Sequence, residues 1–153
     1  CMDLRGSDAA RRGEAIDELR QFREPRYLHQ TRVRTGERVR AFEDLPEAFE
    51  AAAREPGLTR DAEWRVHFHV PIHLERVGLL GTSQDQIEPA LGLALAAGVR
   101  HFEVETYAWT VLPEELRAMN LAAGIAEELR WAEPRLHAAA SAPADIRTPG
   151  TTP

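Results

Sequence analysis

Residues 65–73 read Arg65-Val66-His67-Phe68-His69-Val70-Pro71-Ile72-His73, or RVHFHVPIH in one-letter code. Successive side chains on a β-strand point to opposite faces. Val66, Phe68 and Val70 therefore share one face, and Arg65, His67 and His69 share the other. An apolar face of this kind wants a helix or a second layer against it. The polar face puts two imidazoles side by side, and Pro71 stops the ladder because it has no N–H to donate. Whichever fold this chain adopts has to give those two imidazoles a common space.

A second segment repeats the pattern. In VRHFEVETYAW (99–109) Phe102, Val104 and Thr106 fall on one face, and His101, Glu103 and Glu105 on the other. An earlier segment, RYLHQTRVR (26–34), groups Tyr27, His29 and Thr31. On this reading three neighbouring strands offer His29, the His67/His69 pair and the Glu103/Glu105 pair to one interior. Imidazole nitrogen and carboxylate oxygen suit a borderline divalent ion such as Zn²⁺ or Mn²⁺. Buried carboxylates also need compensation, which a metal would supply. The competing reading is an internal polar network in which Arg65 and His67 satisfy the acids. His73, His101 and His137 are read as packing or surface residues.

Between these segments lie helical patterns. Ala15, Ile16, Leu19 and Phe22 are helically spaced in a stretch from Asp8 to Phe22 that Pro25 ends. DLPEAFEAAARE (44–55) carries Asp44 as N-cap and Pro46 in the first turn. SQDQIEPALGLALAAG (83–98) closes on Gly98. LPEELRAMNLAAGIAEELRWAEP (112–134) is a long final helix with Leu116, Met119, Leu121, Ile125, Leu129 and Trp131 near its apolar side. Gly36 marks a hairpin turn after the strand that begins near Arg26, whereas 56–63 and 75–82 read as loops. From Arg26 the order is strand, hairpin, helix, strand, helix, strand, helix. Strands joined by helical crossovers pack as a parallel sheet. Three such units resemble the end of a (β/α)₈ barrel, whose sites lie at strand C-terminal ends. The expected fold class is thus α/β, with residues 1–134 forming about the last three βα units of a TIM barrel and 135–153 a disordered, Pro-rich tail. The start at Cys1 is read as the interior of a longer protein.

Composition narrows the partners. The 153 residues carry a net charge of −6, which does not draw the chain to nucleic acid or an anionic membrane. All nineteen basic residues are arginine, a compositional bias rather than a site. One cysteine excludes an internal disulfide and agrees with a reducing, cytoplasmic setting. No apolar run reaches the ~18 residues of a membrane span.

RVHFHVPIHLERVGLLGTSQDQI, HFEVETYAWTVLP and RYLHQTRVR together resemble the metabolite-traffic EboE family, over roughly Tyr27 to Trp131. That resemblance implies a xylose isomerase-like TIM barrel related to sugar phosphate isomerases and epimerases, in a bacterial gene set associated with moving or processing a secondary metabolite. It implies one divalent ion (Zn, Mn or Mg), with His69 at the strand-seven histidine position and Glu105 at the strand-eight glutamate position. His29 falls on strand six, where the isomerases commonly use an acid, so the ligand set departs from a standard sugar isomerase. Arg76 in the following loop would hold an anionic or hydroxylated substrate, and Tyr107 and Trp109 would wall the pocket.

The chemistry expected of such a site is proton abstraction beside a metal-bound hydroxycarbonyl. His69, Glu105 and His29 would ligate, while Glu103 or His67 would shuttle the proton. Two other readings stand beside it. One is a small-molecule carrier that keeps the pocket without turnover. The other is a metal-dependent hydrolase, since histidine–x–histidine on a strand also occurs in amidohydrolase barrels. Expected partners are a small-molecule substrate, proteins of the same gene cluster, and further copies of the chain, because a barrel portion leaves edges to pair.

Overall fold

A computed structural model describes residues 2–4, 11–105, 109–110, 112–117 and 120–141. The chain is mixed α/β. Its strands form a six-stranded sheet in the order β3-β2-β4-β1-β6-β5. They are β1 (Met2–Asp3), β2 (Thr31–Thr35), β3 (Arg38–Phe42), β4 (Glu63–Val66), β5 (Arg76–Val77) and β6 (Leu80–Thr82). Every pairing in it is antiparallel. The parallel arrangement expected from the element order is therefore not the one these strands adopt. β4 runs antiparallel to both β2 and β1, and two hairpins complete the sheet. β2 and β3 turn at Gly36 (φ 57°), and β5 and β6 turn at Gly78 (φ 53°) within a stretch that reads as a loop. A Cβ on Gly78 would also run into the Glu18 carboxylate, whose Oε2 accepts the Leu79 N–H at 2.9 Å.

The helices on one side of the sheet follow local rules. α1 (Arg12–Leu19), continued by a 3₁₀ turn to Phe22, buries Ala15, Ile16, Leu19 and Phe22, while residues 8–10 of the expected helix lie outside the described residues. α2 (Leu45–Arg54) starts where Asp44 Oδ1 accepts the Leu45 N–H at 2.8 Å, with Pro46 in its first turn. α3 (Gly57–Arg60) is one helical turn inside the expected loop. Trp64 is fully buried between these layers, its indole N–H donating to Leu58 O at 2.7 Å and its ring stacked on Phe49. Met2 and Leu4 complete this core from β1, a strand the periodicity of the chain does not announce.

The C-terminal part is helical. α4 (Ile87–Ala96) ends as Gly98 takes φ 89°. There the Val99 N–H reaches Ala94 O and the Gly98 N–H reaches Leu95 O, each at 3.0 Å, the paired bonds of a Schellman cap. Residues 99–105 form no helix and join no ladder among the described residues, unlike the strand their alternation predicts. A 3₁₀ turn (Glu114–Arg117) precedes α5 (Leu121–Ser141), in which Asn120 Oδ1 accepts the Ala123 N–H. The long expected helix is thus split, and Met119 lies outside the described residues. Its far end is also corrected, because α5 runs through Pro134 to Ser141 and residues 135–141 are helix rather than tail. Arg135 stabilises that passage. It donates to Trp131 O at 2.9 Å, stacks over the Trp131 ring at 4.0 Å, and pairs with Glu88 of α4 at 2.9 Å.

Candidate functional site

The burial alternation in RVHFHVPIH holds, but β4 ends at Val66, well before Pro71, so the strand is shorter than the sequence predicts. Trp64, Val66 and Phe68 are buried toward the helices, while Arg65 and His67 are exposed on the open face of the sheet and His69 is partly so. His67 Nδ1 lies 3.2 Å from Gln30 Oε1, and the His67 N–H donates to Gln30 O. The His67 and His69 rings are 5.1 Å apart. His69 Nδ1 lies 3.1 Å from Glu105 Oε2. The ladderless segment 99–105 thus brings its last acid to His69, three residues past the end of β4. Burial pushes the His69 pKa down, with Glu105 opposing that shift and His67 and His29 adding to it. The ring therefore favours its neutral form, which keeps a lone pair available.

His29 does not join this face. Thr31 pairs with Val66 and Val33 with Trp64, and residues opposite one another across a ladder share a face. The parity of His29 is consequently that of Phe68, not of His67. Its ring stacks on Phe68 at 4.8 Å, 3% exposed, between Glu24 Oε1 and Asp44 Oδ1 at 3.7 Å each. Burial again lowers its pKa, and the two carboxylates counteract that. The residue that stands beside His67 is Gln30. A one-residue difference in register turns every side chain to the other face, and the expected ligand trio of His29, His69 and Glu105 is broken for that reason.

Other expected residues divide. Trp109 is half-buried and lines a cleft of about 20 Å³ together with His69, Glu105, Leu112 and Glu128, room for about one water. Glu103 is exposed and away from that cleft. Arg76, on the outermost strand of the sheet, donates Nη2 to Leu79 O within its own hairpin rather than reaching the cleft. Tyr107 lies outside the described residues. Among the described residues no group of three His, Cys, Asp or Glu is placed to hold a metal ion.

Sequence reasoning missed Glu128. This carboxyl on α5 is 4% exposed and accepts the Ile72 N–H at 2.9 Å. Burial raises its pKa, against the Ile72 hydrogen bond and nearby His73. The signal lay in spacing. Glu128 is four residues after Gly124, on one helix face, and a Cβ at Gly124 would run into the Trp109 ring. Gly124 thus lets α5 approach closely enough for Glu128 to close the cleft. Two carboxyls and an imidazole around one small space can accept, hold and return a proton. Compared with protein-family models, curated proteins and solved structures, the chain shows no significant match.

Proposed function

We infer that the open sheet face around His69 and Glu105 is part of a small-molecule pocket of the xylose isomerase-like kind. The chain would form C-terminal units of that barrel and act in the cytoplasm on a hydroxylated or sugar-like metabolite, as the EboE resemblance implies. The observation that supports this is the 3.1 Å approach of His69 Nδ1 to Glu105 Oε2, which joins two segments separated by α4. The outward polar face of 65–69 beside an inward apolar face is also what a barrel strand needs between lumen and helices.

The donor chemistry suits a borderline divalent ion. His69 and Glu105 supply two donors, and the rest of a coordination shell would come from residues other than the described ones. Such an ion, when bound, would polarise the carbonyl of a hydroxycarbonyl substrate. Neutral His69 keeps a lone pair, and Glu105 Oε2 stands 3.1 Å from its Nδ1, close enough for both to reach one ion. Glu128, which burial keeps protonated to higher pH than an ordinary glutamate, is suited to hold the proton that Glu103 was expected to carry. His67 and Gln30 flank the approach along the sheet.

Equilibrium dialysis of the chelator-treated protein against zinc or manganese tests the site. The expected result is about one bound equivalent, lost in the His69→Ala/Glu105→Ala double variant. Full stoichiometry in that variant would end the assignment. Deuterium uptake from D₂O into hydroxycarbonyl compounds, followed by proton NMR, separates an enzyme from a carrier. Exchange that disappears in Glu128→Gln supports turnover, whereas ligand-induced shifts without exchange mark a carrier.

A further inference from the structure

The other end of the sheet carries a different kind of surface. β3 has β2 as its one neighbour, so its outer backbone edge is unpaired among the described residues. Thr35 and Arg38 flank the two-residue turn at Gly36 and Glu37. The pair that closes such a turn is hydrogen-bonded, and pairs then alternate along the hairpin. Arg34–Val39 and Arg32–Ala41 are therefore non-hydrogen-bonded pairs, and Val39 and Ala41 direct their N–H and C=O groups away from β2. Val39 is also 56% exposed.

A groove of about 810 Å³ lies between one face of this hairpin and the α2–α3 junction. Arg38, Val39 and Arg40 all line it, opposite Glu55, Pro56 and Leu58. Consecutive strand side chains point to opposite faces. Val33 and Thr35 of β2 line it as well, opposite Arg40 and Arg38 in the ladder, so the groove lies under the hairpin face that carries both arginines, with Val39 of the outer strand bordering it. The lining is electropositive in a chain whose net charge is −6. Arg40 Nη1 meets both carboxylate oxygens of Glu55 at 2.8 Å, while Arg38 is exposed with no partner among the described residues. Two guanidiniums thus face one carboxylate.

We propose that the free edge of β3 is a docking site for an extended acidic segment of a partner protein, which adds as a strand and sets alternate carboxylates against Arg38 and Arg40. Main-chain bonds to Val39 and Ala41 give the register, and the arginines select for negative charge. A second copy of this chain is the wrong occupant. Pairing β3 with β3 would bring four arginines together, and like charges placed opposite across a ladder repel.

The probe is a capped hexapeptide of alternating glutamate and threonine, titrated into ¹⁵N-labelled protein. Shifts should concentrate on the Arg38, Val39 and Ala41 amides, and added salt should weaken binding. Arg38→Glu should cost roughly tenfold in affinity, and a peptide with arginine in place of glutamate should recover binding to that variant. Val39→Pro removes an outward N–H at an edge where proline is tolerated, so it should abolish binding while leaving the thermal melt in place. The proposal is overturned if the wild type binds both peptides equally or neither at millimolar concentration, or if a folded Val39→Pro variant binds unchanged. Should Val39→Pro fail to fold, the charge-swapped pair decides: no recovery on Arg38→Glu rejects the site.

Discussion

Around the sheet, Trp64, Leu45 and Leu80 are shut off from solvent. From Gln84 onward only Leu112, Gly124 and Glu128 reach that state among the described residues. The apolar helix α4 has no buried residue, and Leu93, Val99, Phe102, Leu121 and Leu129 all stand exposed beside or on the two long helices. Both regions have enough apolar side chains. They differ in geometry. A sheet presents a broad surface that α1, α2 and α3 can cover together, whereas α4 and α5 cover only one side of each other. Apolar residues therefore make a core only where layers oppose them on both sides. The candidate site sits at the seam of the two regions, with His69 from the sheet region and Glu105 and Glu128 from the C-terminal one.

Cutting into each core is the strongest way to break this comparison. Trp64→Ala should cost about 3–5 kcal/mol in urea unfolding, whereas Leu93→Ala should change stability by no more than about 0.5 kcal/mol. Equal losses would mean the two regions share one core. At the seam, Gly124→Leu forces a side chain into the Trp109 ring. It should cost about 1–3 kcal/mol and change Trp109 fluorescence while the far-UV signal of the sheet persists. A silent substitution would show that α5 is not held by that contact.

Titration sharpens the contrast because the two buried groups run in opposite directions. The pKa of His29 is lowered on folding, so the unfolded chain binds the proton more readily. Its contribution to stability falls as pH drops below the unfolded value near 6.5. The pKa of Glu128 is raised. The folded chain then binds the proton more readily, and stability falls as pH rises from near 4.5 through the folded value. His29→Asn should flatten the acid-side slope of a stability profile, and Glu128→Gln should flatten the other while retaining the Ile72 hydrogen bond. Slopes unchanged in both variants would show that neither group is linked to folding. A small effect belongs to Arg34→Ala at the surface. It removes the ion pair with Glu63 and should cost at most about 1 kcal/mol, less in high salt.

Much of the local structure was legible in the chain. The inward set Val66 and Phe68, the Asp44 cap, the Gly36 turn and the Gly98 stop each depend on neighbours in sequence. Even the approach of His69 to Glu105 followed from alternation plus the expectation that two segments meet. What failed depended on partners far along the chain. Residues 99–105 have strand alternation but no ladder neighbour among the described residues. The hairpin at Gly78 depends on Glu18 accepting a bond from Leu79. Pro134 sits inside a helix beside Arg135, which engages Trp131 and Glu88.

Alternation and capping chemistry were determined by the sequence alone, since a pleat or a first turn is fixed by a few adjacent dihedrals and side chains. Which face meets the helices was decided by tertiary register. Thr31 had to choose Val66 over a neighbour before His29 could be placed, and that choice rewards burial of Val33 against Trp64. The identity of the second carboxyl in the cleft was likewise tertiary. Glu128 becomes a buried, proton-holding group only when α5 packs on Ile72, because it is the loss of water around it, not its place in the chain, that raises its pKa.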